Sequence, residues 1–348
     1  MRSLLAVVIL LTAVPAAAGE PLEIRVAYSP ELRRRPGWTA ELDCAVSRAS
    51  AAIHQAIGRE LVVTSRVPWL GAKVGRSVRD LREALVEDVE LGDADVIMGL
   101  SVHVGLSPRA PRPIGVEIEP QLDMSLDEGL AHYTRGYVVF SVRANDLCET
   151  YRLVAHELAH VYGGVHRDGE EYLMDQDGTG LEIDPLNAEL LALHRGRLFG
   201  PGRAPLSGED LRRMWRLARA DLEDPETWLV VGFLAARMGK PVDAARNYEK
   251  ALAIDADHAQ ALVNLGHARF QLGELDAAEA SYVKALAVRG DDGEVSNNLA
   301  AIYYARNLPE EALPHLRKAL ELGFAVHPLF IEEIEKATGK RLKASAHR

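Results

Sequence analysis

The chain has 348 residues, is 48% apolar, and carries a formal net charge of −11 and two cysteines. That length predicts two domains, or one domain and a repeat array, with enough apolar residues for a buried core. The acidic balance argues against a nucleic-acid partner and otherwise says little beyond solubility.

Arg2, the apolar run Leu4–Val14 and the small residues Ala16, Ala17 and Ala18 read as an export signal over residues 1–19. The run is too short to span a bilayer, and no later run is long and apolar enough. A secreted or periplasmic mature chain is therefore expected to start near Gly19 or Glu20, with no membrane span after signal removal. No cysteine lies near the cut to carry a lipid.

Leu22, Ile24, Val26 and Tyr28 alternate as in a strand. A helix is expected from Thr39 to Ile57, a strand at Leu61–Thr64, a helix at Val78–Glu90 and a strand at Ala94–Met98 closed by Gly99. This order argues for a mainly parallel sheet with helices packed on it. The prolines in 107–113 break regular structure, and Ile114, Val116 and Ile118 alternate between Pro113 and Pro120, which suits an edge strand. Residues 121–135 read as loop or short helix, and Tyr137–Val142 as a buried strand.

Asp146 and Glu149 then form a capping box for a helix whose apolar stripe is Leu147, Tyr151, Val154, Leu158 and Val161. His156 and His160 lie off that stripe, four residues apart on one face. Both can point an imidazole at one ion, with Glu157 beside them. Gly163 lets the chain leave the helix at positive φ, and His166 then supplies a third nitrogen. Three neutral imidazoles with an open fourth position describe a catalytic zinc site. Export also permits a disulfide. Pairing Cys44 with Cys148 would staple the first long helix to this one, and two unpaired thiols are the alternative.

The segment His156-Glu157-x-x-His160-x-x-Gly163-x-x-His166 resembles the zinc signature of the metzincin metallopeptidases, with Met174 placed as their Met-turn methionine. The resemblance covers residues 20–200. It implies an α/β (α+β) catalytic domain with a mainly parallel five-stranded sheet, in which the edge strand, here 114–118, pairs with an extended peptide. It also implies a C-terminal helix, here Asp184–Phe199. The tyrosine some relatives carry two residues after the methionine is Gln176 here, and the Asp some place directly after the third histidine is displaced to Asp168 by Arg167. Tyr172 is a weaker candidate stabiliser. Asp168 reads as a turn residue or as a group that fixes an imidazole. His103 and His132 fall in loops and His194 on a surface helix, all read as structural or solvated. Asp175-x-Asp177-Gly178 reads as a turn, since most ligand positions of a calcium loop are missing.

A linker follows at 201–206, and Ser207 caps a helix to about Ala220. Residues 225–258, 259–292 and 293–326 then align without a gap at 34 residues. Gly232, Gly266 and Ala300 coincide, as do Ala244, Ala278 and Ala312, and Tyr248, Tyr282 and Leu316. Period and small positions resemble tetratricopeptide repeats, an all-α solenoid, with a capping helix over 328–339 inside a domain of 207–340. Such arrays present a concave face to peptides or proteins.

The chemistry expected is peptide hydrolysis with Zn2+ as cofactor, Glu157 as general base, and a peptide or protein as substrate. Two competing readings stand beside it. One is the other H-E-x-x-H branch, with Glu182 or Glu189 as third ligand. The other is a non-enzymatic exported scaffold acting through its repeats. No room precedes the first strand for a sizeable pro-segment, so the repeats are the candidate for controlling access or delivering substrate.

Overall fold

The computed structural model describes residues 20–72, 78–102, 137–142, 147–175, 179–195, 213–214, 216–217 and 220–342. The chain divides into two compact units, Met1–Arg219 and Ala220–Arg348. The expected signal, the 114–118 strand, the loop at 121–135, Asp146, His103, His132, Gln176, Asp177, Gly178 and the 201–206 linker lie outside the described residues. So does most of the helix expected after Ser207.

In the first unit, β1 (Leu22–Tyr28), β2 (Leu61–Pro68), β3 (Val96–Val102) and β4 (Tyr137–Val142) form a parallel sheet in the order β2-β1-β3-β4. Leu22 pairs with Leu61, Ile24 with Val96, and Ile97 with Tyr137. Helices α1 (Pro30–Arg33), α2 (Trp38–Ile57) and α3 (Val78–Asp88) connect the first three strands. Alternation along β1 decides which helix each residue meets. Leu22, Ile24 and Val26 join a core with Leu42, Val46 and Ile53 of α2. Ala27, with Ile97 of β3, packs on the other face against Leu81 and Leu85 of α3. Strands buried on both faces by crossover helices are the usual state of a parallel sheet.

Two strands are longer than the sequence reading had them. β2 continues past Thr64 to Pro68 because its backbone keeps pairing with β1, although only alternate residues are covered. β3 does not end at Gly99, which pairs with Ala27 on one side and Val139 on the other. Four strands are described where five were expected.

In the second unit, helices pair as α6 (Pro225–Arg237) with α7 (Pro241–Ile254), α8 (Ala259–Gln271) with α9 (Leu275–Arg289), and α10 (Gly293–Ala305) with α11 (Pro309–Glu321). A last helix, α12 (Pro328–Thr338), follows. The remaining helices of the first unit, α4 (Tyr151–Val161) and α5 (Pro185–Leu193), belong to the site described next. Aspartates cap two of the repeat helices: Asp224 accepts from Glu226 N at 3.0 Å, and Asp292 from Glu294 N at 2.9 Å.

The small positions of the repeats have a steric cause. A Cβ on Gly232 would lie 2.5 Å from the Tyr248 ring, and one on Gly266 would lie 2.5 Å from the Tyr282 ring. The third repeat has Ala300 opposite Leu316, both buried. A flat tyrosine ring therefore requires glycine across from it, while leucine leaves room for a methyl.

Candidate metal centre

Helix α4 is entered through a tight turn at Cys148–Thr150. The capping box expected there includes Asp146 and so lies outside the described residues. The Glu149 carboxylate pairs with Arg48 of α2 at 2.6 Å. The Leu147 N–H donates to Glu41 of α2 at 3.2 Å. Arg48 also stacks on Tyr151, 3.6 Å from the ring centroid, so Tyr151 is half-buried beneath a cation and does not belong to the apolar core. Cys44 and Cys148 form a disulfide with their Cα atoms 5.3 Å apart, closing a sequence separation of 104 residues. On the chain-entropy account a loop of that length is worth about 4–5 kcal/mol.

From Val154 to Val161 every residue of α4 is buried, His156, Glu157 and His160 included. The two histidines therefore share a dry environment with the core. What distinguishes them is where their polar atoms point. His156 Nδ1 lies 2.7 Å from Leu173 O, and His160 Nδ1 lies 2.8 Å from Gly164 O. A carbonyl only accepts, so each Nδ1 carries the proton and each Nε2 a lone pair. Those two Nε2 atoms are 3.2 Å apart, and His166 Nε2 stands 3.3 Å from one and 3.1 Å from the other.

The contact between the His156 and His160 Nε2 atoms is a meeting of two lone pairs and not a hydrogen bond. Burial drives the His156 pKa down to about 4, reinforced by the neighbouring His166 and opposed by the bond to Leu173. Burial likewise holds His160 well below the ordinary histidine range, with His156 and His166 adding to it. The imidazoles are held neutral, the form that ligates metals.

The arrangement fits zinc. Three nitrogens at about 2.0–2.1 Å from an ion with tetrahedral angles stand about 3.3–3.4 Å from one another, close to the separations seen. Carbonyls on the far ring nitrogens are the usual outer partners of such ligands. Among the described residues His156, His160 and His166 are the one group of three or more His, Cys, Asp or Glu side chains that converge in this way. Glu182 is exposed, Glu189 is half-buried, and neither joins that group.

The return of the chain from α4 to His166 is built from small residues and backbone bonds. Gly163 has φ +87°, and a Cβ there would lie 2.8 Å from His194 Cε1. His194 is therefore a buried residue behind the turn, 1% exposed, and not a surface one. Its Nδ1 lies 3.0 Å from Leu190 O one turn earlier. Met174 is fully buried, with its methyl 3.2 Å from where a Gly164 Cβ would be. Asn187 on α5 clasps Val165 from both sides, accepting from its N–H at 2.7 Å and donating to its C=O at 2.9 Å. Asp168 is exposed, and the outer nitrogens of the two helix histidines go to carbonyls instead.

Arg152 and Asn187 were not singled out in the sequence. Arg152 had a signal: it precedes His156 by one helical period and so shares its face. Asn187 had none, because its partner is a backbone 22 residues away.

Residues 257–323 match the family model of the tetratricopeptide repeat. They span α8 to α11, and repeats of this kind stack into arrays whose surfaces bind proteins and peptides. No curated protein matches the chain. Among solved structures the chain is similar to MamA, with 21% identity over 34% of this chain and 67% of that one, at a TM-score of 0.30. It is also similar to the first tetratricopeptide domain of Spaghetti bound to an HSP90 peptide, with 22% identity over 34% and 97% at 0.31. A third is YrrB, described as having an unusual peptide-binding site, with 14% identity over 61% and 84% at 0.32. Scores this low carry no weight for function. The matched repeat residues leave out the histidine segment.

Proposed function

We propose that the first unit is a metzincin-like zinc endopeptidase domain and that the repeats dock its protein substrate or a partner. The observation that carries the enzymatic part is the convergence of three Nε2 atoms within 3.1–3.3 Å of one another, with Glu157 next to His156 on the same buried helix. His156, His160 and His166 would hold the ion, and the Leu173 and Gly164 carbonyls fix two of the rings. Zinc bound there would supply Lewis acidity and a more acidic bound water. Glu157 takes a proton from the water as its C–O bond to the carbonyl carbon forms, and returns that proton to the leaving amine as the C–N bond breaks. Met174 forms an apolar floor. Action after export is in keeping with the signal expected at 1–19 and with the disulfide, a bond that persists in oxidising compartments.

The test measures zinc content and cleavage of a peptide library, with and without chelator, in the wild type and in Glu157→Ala. The variant should keep its zinc and lose about 10²–10⁴-fold in rate. Unchanged cleavage would remove the role given to Glu157.

A second reading is a non-enzymatic exported scaffold acting through its repeats. It is the reading that the comparisons favour, since the family match at 257–323 concerns the repeats alone. A zinc-loaded wild type that cleaves no peptide, yet captures a protein through residues 220–342, would establish this reading over the first.

A further inference from the structure

We propose that Arg152 is a positioning residue for the metal centre, acting as a clamp that sets the orientation of the first histidine. Its guanidinium reaches four backbone carbonyls of the segment that returns past the site. Nε donates to Gly180 O at 2.9 Å. Nη2 donates to Tyr172 O at 3.2 Å, Leu173 O at 3.1 Å and Asp175 O at 2.8 Å. One of these, Leu173 O, is the same oxygen that holds His156 Nδ1 at 2.7 Å.

The arrangement follows from helical periodicity. Arg152, His156 and His160 are each four residues apart, so they form one polar stripe along α4. Arg152 stands one turn before the first ligand and half-buried, where its fork can bridge two strands of the returning loop. By fixing residues 172–175 it fixes both the carbonyl behind His156 and the backbone that carries the buried Met174. A guanidinium is suited to this because its donors diverge in a rigid plane. An ammonium is a single point and cannot span from Asp175 to Gly180.

The inference rests on the reading that the three histidines hold zinc, and not on peptidase activity. Its test uses the full mature chain and the variants Arg152→Met and Arg152→Lys. Zinc affinity is read by competition with a chromogenic chelator, ligand geometry by the visible absorption of the cobalt-loaded protein, and folding by the melting temperature of the metal-stripped protein. Arg152→Met should weaken zinc about 10–100-fold, the usual effect of losing an outer partner of a ligand, and should alter the cobalt spectrum. Arg152→Lys should fall between it and the wild type.

A plain structural brace would lower the melting temperature and leave affinity within twofold of the wild type and the cobalt spectrum unchanged. That result overturns the proposal. If Arg152→Met does not fold, the lysine variant decides on the same criterion. A wild type that binds no zinc, or that keeps its affinity after His166→Ala, removes the metal site and the clamp together. Zinc binding without peptide cleavage removes only the peptidase reading.

Discussion

Asn187 shows how much one side chain can hold. Its amide is fully buried and makes both hydrogen bonds of a short strand pairing with Val165, the residue before His166. Asn187→Ala leaves a buried N–H and a buried C=O without this partner, at a cost of about 1–3 kcal/mol for each orphaned group. Thermal melting should show that loss, and chelator competition should show weaker zinc binding. Equal melting temperatures for the two proteins would contradict the clasp. A second prediction concerns pH. His156 titrates at about 4 when folded and near the ordinary 6.5 when unfolded, because burial disfavours its charged form. The unfolded chain therefore binds more protons between those values. Stability of the metal-stripped protein should be full above about pH 6.5 and fall as the pH drops toward 4. His160 is shifted in the same direction and adds to the slope. A flat melting profile from pH 7.5 to 4.5 would count against both neutral imidazoles.

At the scale of elements, the repeat helices pack by a coupled pair of positions. Gly266→Ala drives a methyl into the Tyr282 ring and should destabilise the second unit by about 1–3 kcal/mol. Adding Tyr282→Leu recreates the pairing of Ala300 with Leu316 and should recover much of the loss. Denaturant unfolding of the single and double variants measures it, and simple additivity would refute the coupling.

What could be read from the sequence divides along the same line. Periodicity placed β1, α2 and the repeat helices because each buries a regular face, and the 34-residue register made the small positions visible. The histidine spacing was legible because i and i+4 share a helical face. The supports around it were not. Glu149 pairs with Arg48, 101 residues away, a partner that no local spacing announces. His194 had the look of a surface residue until Gly163 folded back over it. β2 reads short from its sequence because polar residues on the outer strand of the described sheet hide a backbone that still pairs.

For the molecule as a whole, the chain carries two compact units, with the proposed centre in the first and the repeats in the second. Deleting residues 220–348 should leave zinc affinity of the first unit within about twofold, because every described ligand and support, Met214 behind the Gly163 turn included, lies before residue 220. The same deletion should narrow the set of proteins cleaved or captured, since tethering raises the local concentration of a docked partner. An unchanged set of targets would leave the repeats without a part in recognition.

The bond between Cys44 and Cys148 has a topological consequence. β2, α3, β3 and β4 all lie between its two ends, so most of the parallel sheet sits inside a covalent ring. A single cut in the backbone anywhere within that ring opens it without releasing either fragment. On a denaturing gel such a nicked chain would run as one band until a reductant was added, and as two afterwards.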